Sequence, residues 1–147
     1  MQNQINNYVY DPCDFNFIKR YFSIQKIIDF VNNNQLILDE SEWSLRKCSL
    51  FIESILIRIP LNPLYLDNTN GYYKIISGRN RIFALKLIMI DCYKLEGLEF
   101  LTDLNNLTFL NLTRKYQRRI LESDLTVYII EPGTPQFIID NISRRIN

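Results

Sequence analysis

The residues best able to do chemistry in this chain lie together in Tyr72-Tyr73-Lys74-Ile75-Ile76-Ser77-Gly78-Arg79-Asn80-Arg81. An apolar, β-favouring run ends at Ser77 and Gly78, and helical spacing begins at about Asn80. The segment therefore reads as strand, glycine turn and helix. A helix N-terminus presents unpaired backbone N–H groups and partial positive charge, which suits a phosphate. A cation placed there is disfavoured by about 0.3–1 kcal/mol through the helix dipole. Arg79 and Arg81 nevertheless open this helix. Their placement is consistent with an anion at the site, with Gly78 admitting it close to the backbone. The forked donors of arginine also match phosphate geometry. Taken alone, the plainer reading of the same residues comes first: a glycine turn with two solvated arginines.

Other candidates carry less. Glu53 lies on a helix otherwise rich in apolar residues. It either pairs with Arg81 and orients it, or marks the wet face of its helix. Asp39, Glu40 and Glu42 read as a solvated acidic loop rather than a metal site. Arg114, Lys115, Arg118 and Arg119 place cations on one predicted helix with Tyr116 among them, and Arg144 and Arg145 follow near the C-terminus. Such a helix can touch nucleic-acid phosphates, but a solvated face balanced by Glu122 and Asp124 is the commoner meaning. Tyr72 and Tyr73 beside the glycine turn either stack a base or, more commonly, pack on the sheet.

The elements that must position these residues follow from periodicity. Residues 1–22 are aromatic and irregular, with Tyr8, Tyr10, Phe15, Phe17, Tyr21 and Phe22, and no element is assigned to them. Ser23 can cap a helix with Ile24, Ile27, Ile28 and Val31 on one face, closing at Asn32-Asn33-Asn34. Residues 35–38 are a short extended piece. A second helix runs from Ser44, with Cys48, Phe51, Ile52, Ile55, Leu56 and Ile59 in step, until Pro60 stops it. Leu64-Tyr65-Leu66 and residues 72–76 form a hairpin about the turn Asp67-Asn68-Thr69-Asn70-Gly71. A helix over residues 80–93 follows, then a loop over 105–112 with a short extended segment. A polar helix at 114–122 and a strand at 125–130 come next. Thr134 caps a last helix with Pro135 at its first position, and the apolar face of Phe137, Ile138, Ile139 and Ile142 reads as core. The predicted class is α+β, a small mixed sheet flanked by helices in one domain over 1–147.

Composition narrows the chemistry. The 147 residues include no histidine. That excludes Ser-His-Asp and Cys-His relays, imidazole–zinc sites, HNH-type nuclease centres and histidine pH switches. With 17 Lys+Arg against 16 Asp+Glu, there is no global field to attract a polyanion. Any such site must be a local patch. Cys13, Cys48 and Cys92 are odd in number and far apart, which reads as buried or inert thiols in a reducing compartment. Residues 1–7 lack the basic and apolar regions of a signal peptide, and residues 82–90 are too short to span a bilayer. A cytoplasmic protein with no membrane contact is expected. Alanine occurs once, at Ala84, beside abundant isoleucine and asparagine. This is the coding bias of an AT-rich genome, as in some bacteria, phages and large DNA viruses.

Two runs carry a family resemblance. Ser49-Leu50-Phe51-Ile52-Glu53-Ser54-Ile55-Leu56-Ile57-Arg58-Ile59-Pro60-Leu61-Asn62-Pro63-Leu64-Tyr65-Leu66, and then Tyr73-Lys74-Ile75-Ile76-Ser77-Gly78-Arg79-Asn80-Arg81, resemble a bacterial family. It is the ParB-like N-terminal domain of GmrSD-type, modification-dependent (type IV) restriction enzymes. That family has an Ile-Glu-Ser helix, an Ile-Pro-x-Pro approach to a strand, and a strand ending in an Asp-Gly-Gln-Gln-Arg box. Arg118-Arg119-Ile120-Leu121 is similar to the family's next helix, and Arg145-Ile146-Asn147 to its closing Arg-Ile-Asn. The likeness spans residues 23–147.

The resemblance implies a ParB/sulfiredoxin-like fold whose box binds and hydrolyses a nucleoside triphosphate with Mg2+, controlling a separate nuclease domain that cuts modified DNA. Within the box, Gly78 and Arg81 match. Ser77 stands where the family has aspartate, while Arg79 and Asn80 replace the two glutamines. Upstream, where the family has Gln-Arg ahead of a tryptophan, this chain keeps Trp43 and carries acids instead. The expectation is a phosphate or nucleotide site at Ser77, Gly78, Arg79, Asn80 and Arg81 with little or no hydrolysis, Ser77 and Glu53 being the weak catalytic candidates. Without the further helices and nuclease domain of complete members, the module is expected to meet a nuclease-bearing partner chain or a second copy of itself.

Overall fold

The computed structural model describes residues 11, 13, 15–38, 40–68 and 70–147. The chain enters the fold through strand β1 (Phe17–Ser23), within the stretch that sequence pattern leaves without an element. Exposed Lys19 and Arg20 interrupt its apolar run. β1 lies at an edge of the sheet, where such charges are tolerated and discourage pairing with other chains. Ser23 then accepts a hydrogen bond from the Lys26 N–H at 3.1 Å and caps α1 (Ile24–Asn32), which buries Ile24, Ile27 and Ile28. Strand β2 (Leu36–Ile37) follows.

Ser44 caps α2 (Leu45–Leu56) by accepting from Lys47 N–H at 3.2 Å. This helix ends before the predicted stop at Pro60. Arg58 adopts a left-handed φ of 66°, so that its N–H reaches Ile55 O at 3.1 Å and Ile59 N–H reaches Ser54 O at 2.9 Å. These paired bonds satisfy the last carbonyls of the helix in a geometry that usually selects glycine.

Strands β3 (Leu64–Asp67) and β4 (Tyr73–Ser77) form the predicted hairpin. The helix after them departs from expectation. It is α-helical only as α3 (Arg79–Leu85) and widens into a π-turn at Lys86–Ile90, where Asp91 N–H reaches back to Lys86 O. Residues 105–112 hold no strand. A short 3-10 turn at Thr102–Leu104 precedes them and another, Phe109–Asn111, lies within them. Helix α4 (Arg114–Leu121), capped by Thr113, leads into β5 (Asp124–Ile130). The last helix, α5 (Gln136–Ile146), begins one residue later than its start signal suggests. Pro135 is the N-cap, and the Thr134 hydroxyl donates to Glu131 O at 2.7 Å, closing the preceding turn.

The strands form one mixed sheet in the order β1-β5-β3-β4-β2. β1 is antiparallel to β5 and β4 antiparallel to β3, while β3 runs parallel to β5 and β2 parallel to β4. Strand alternation divides two cores. Leu64 and Leu66 of β3, and Leu125, Val127 and Ile129 of β5, point into the larger core shared with α1, α2 and α3. Ile76 and Ile130 face the other side, against Ile138, Ile139 and Ile142 of α5. Phe137 does not join that core and is 54% exposed. Tyr73 packs its ring beside Phe22 and Phe30. Cys48 is buried, which pushes its thiol pKa up, whereas Cys92 is half-buried and Cys13 is exposed, so burial holds for Cys48 alone. Among the described residues, no helix is long and apolar enough to cross a membrane.

Candidate functional site

The end of β4 and the start of α3 are joined by Gly78 at φ 109°, a left-handed conformation that only glycine adopts without strain. A Cβ at this position would also collide with Leu64 Cδ2 and lie 3.2 Å from Arg81 Nη2. Glycine is needed twice over, for its φ and for its closeness to β3. Beyond the turn, the N–H groups of Arg79 and Asn80 are at the helix start, where the α-helical ladder has no acceptor for them.

Neighbouring segments hold this turn from three sides. The Ser41 hydroxyl donates to Asn80 Oδ1 at 2.6 Å and accepts from Trp43 N–H at 3.1 Å, so the loop ahead of α2 is pinned against the helix start. Arg81 donates through Nη1 to Asn62 O and through Nη2 to Pro63 O, the latter at 3.2 Å, securing the approach to β3. Asn147 Nδ2 donates to Ile76 O at 2.9 Å and fastens the end of α5 to β4.

A cleft of about 550 Å³ opens between these elements. It is lined by every residue of the predicted site, Ser77, Gly78, Arg79, Asn80 and Arg81, with Trp43, Ser143 and Asn147 among its other walls. Ligand sites span about 300–1,000 Å³, so the volume is ample for a nucleotide. Among the described residues, no Asp or Glu side chain lines it. Arg79 is exposed and Arg81 half-buried, and neither forms an ion pair among the described residues. Burial lowers the pKa of Arg81, but an arginine remains charged in any protein environment.

The donor set fits an anion. Two guanidinium groups, helix-start N–H groups and hydroxyl and amide side chains converge, with no Asp or Glu side chain opposing them among the described residues. It does not fit Mg2+, which relies on one or two protein carboxylates beside substrate phosphates. Among the described residues, no group of three or more His, Cys, Asp or Glu gathers to hold a metal, and Glu40 and Glu42 are exposed. Asp39 lies outside the described residues, as do Tyr8 and Tyr10.

The pairing of Glu53 with Arg81 is overturned. The Glu53 carboxylate is 3% exposed and accepts from the backbone N–H groups of Glu99, Phe100 and Leu101 at 3.2, 2.8 and 2.8 Å. Burial pushes its pKa up, but these three donors outweigh that and hold it below the ordinary 4.5. Glu53 organises a loop and does not line the cleft. That loop lies 46 or more residues away in sequence, and nothing in local spacing announces it.

The four cations of α4 also form a surface of their own. Arg114, Lys115, Arg118 and Arg119 line a depression away from the cleft, together with Glu122 and with Arg58 from the end of α2. Sequence reasoning left Arg58 out, because its place beside α4 depends on the left-handed turn that ends α2.

Comparison of the chain with protein-family models, curated proteins and solved structures finds no match.

Proposed function

We propose that this chain is a ParB-like module of the modification-dependent restriction type, and that it binds a nucleotide or other phosphate in the cleft at Ser77, Gly78, Arg79, Asn80 and Arg81 without hydrolysing it. One observation carries the reading. Three segments distant in sequence, around Trp43, over residues 77–81 and at Asn147, line a single cleft that contains arginines and, among the described residues, no acidic side chain. Each of these segments bears part of the family resemblance.

In this reading Arg79 supplies charge, Arg81 shapes the floor while offering its remaining N–H donors, and Gly78 lets a phosphate approach the backbone. Among the described residues, no acidic side chain lines the cleft to act as a general base for water attack or as a carboxylate for a metal. A serine hydroxyl at Ser77 does not replace either at its ordinary acidity. The module therefore acts as a nucleotide-sensing or regulatory unit in the handling of foreign DNA, with any cutting done by a nuclease-bearing partner.

Isothermal titration with ATP and GTP, with and without magnesium, tests the reading. Binding is expected that is indifferent to magnesium and weakened about tenfold, or about 1.4 kcal/mol, by Arg79→Ala. Absence of binding by the wild-type protein overturns it, as does affinity unchanged by both Arg79→Ala and Arg81→Ala.

A second reading, an interaction module with a vestigial phosphate site, is favoured by exposed Phe137 beside an apolar groove of about 440 Å³ that includes Phe15 and Ile142. It predicts a defined oligomer on sizing and no nucleotide effect on melting temperature.

A further inference from the structure

The near-neutral charge of the chain conceals a segregated one. A depression of about 410 Å³ is lined by Arg58, Arg114, Lys115, Arg118, Arg119 and Glu122. Removing these five cations and one carboxylate from the chain's 17 Lys+Arg and 16 Asp+Glu leaves twelve cations against fifteen carboxylates. The depression carries five cations against one carboxylate, a local net of +4, while the rest of the chain sums to −3.

Some of this charge has a structural use. Arg119 donates to Leu56 O at 3.2 Å and ties α4 to the end of α2, and Arg118 pairs with Glu122 at 3.1 Å. Arg58, Arg114 and Lys115 are exposed and have no partner among the described residues. All three placements run against local physics. Arg114 and Lys115 occupy the first turn of α4, where the helix dipole disfavours cations. Arg58 occupies the left-handed position closing α2, where glycine is the relaxed choice. Asp124 lines an adjoining depression with Arg58 yet forms no ion pair with it.

We infer that this depression is a docking surface for the phosphate backbone of nucleic acid, separate from the cleft at residues 77–81. Arg58, Arg114 and Lys115 would contact successive phosphates, and Arg119 would position α4 against α2. The contacts are to phosphates alone, so the surface gives sequence-independent affinity and reads no base. It stands on charge segregation and concavity and does not depend on the nucleotide reading of the other cleft.

Fluorescence anisotropy with a labelled DNA duplex, titrated at several salt concentrations, tests the inference. About three phosphate contacts give a slope near −2.7 in log affinity against log salt, and a loss of roughly forty-fold between about 50 and 200 mM. Lys115→Ala should reduce the slope by about one. Arg58→Gly gives the cleanest separation of roles: melting temperature should rise because strain is relieved, while DNA affinity falls. Arg79→Ala, in the other cleft, should leave DNA binding unchanged. The inference is overturned if no salt-dependent binding occurs, if Arg58→Gly and Lys115→Ala both bind like wild type, or if Arg79→Ala is the variant that abolishes binding. Equal affinity for polyglutamate of matched length would also overturn it, by showing attraction to any polyanion rather than to phosphates.

Discussion

The Ser41 hydroxyl and the Asn80 side-chain oxygen meet at 2.6 Å across 39 residues of sequence, binding the loop before α2 to the first turn of α3. The same hydroxyl accepts from Trp43 N–H, so one serine fixes both the wall and the floor of the cleft. Ser41→Ala should lower stability by about 0.5–1.5 kcal/mol, the net worth of such a bond. Nucleotide affinity should fall along with it, because the Trp43 wall is released. Urea unfolding and titration on the same variant check both effects; a cleft that binds equally well without the hydroxyl would show that the loop is not part of the site.

Gly78 should resist any replacement. Gly78→Ala introduces a Cβ that strikes Leu64 in a left-handed conformation costly to alanine. A loss of about 2–3 kcal/mol is expected from overpacking and strain together, read as a lower midpoint in chemical denaturation. A midpoint within 0.5 M urea of wild type, or about 1 kcal/mol at a slope of about 2 kcal/mol/M, contradicts the packing described.

Arg81 and Arg79 should separate stability from binding. Arg81→Ala leaves Asn62 O and Pro63 O without their donor and should destabilise by about 1–3 kcal/mol. Arg79 is exposed and forms no ion pair among the described residues, and Arg79→Ala should melt like wild type while weakening phosphate binding. Thermal melts with and without ATP distinguish the two, since a ligand that binds only the native state raises its stability by mass action.

Glu53 predicts an acid sensitivity of definite sign. Its folded pKa lies below the ordinary 4.5. Its contribution to stability is therefore fully present above about pH 4.5 and is lost as pH falls through the lower folded value. Glu53→Gln keeps the shape but removes the charge that three N–H groups address. It should cost about 1–3 kcal/mol at pH 7 and flatten the fall in stability as pH drops below about 4.5. Unfolding curves across that range decide it: an unchanged pH slope would mean that the carboxylate is not the group the loop depends on.

Ser77 predicts a gain. Phosphate release from ATP or GTP by the wild-type chain should stay at background under multiple-turnover conditions. Ser77→Asp restores a carboxylate in the cleft able to meet a metal or a water, and should raise release above that background. A wild-type chain that already turns over would reverse the reading of an inactive site.

Much of the fold is written locally, because its signals act over a few residues. Ser23 and Ser44 are hydroxyl caps ahead of 3.6-residue periodicity, and Gly78 ends one strand and opens one helix. These settle the α+β class and place Ser77, Gly78, Arg79, Asn80 and Arg81 about one turn from local sequence alone. β1 escaped because an edge strand carrying Lys19 and Arg20 lacks clear alternation, and its hydrogen bonds come from β5, far along the chain. Tertiary structure alone decided what gathers around the turn. It set Trp43 and Asn147 on the walls of the cleft, turned Glu53 toward residues 99–101 instead of Arg81, and brought Arg58 beside α4. The physical reason is common to all of these. A side chain's chemistry is fixed by its type, but its partner is chosen by packing between segments far apart in the chain, where spacing carries no signal.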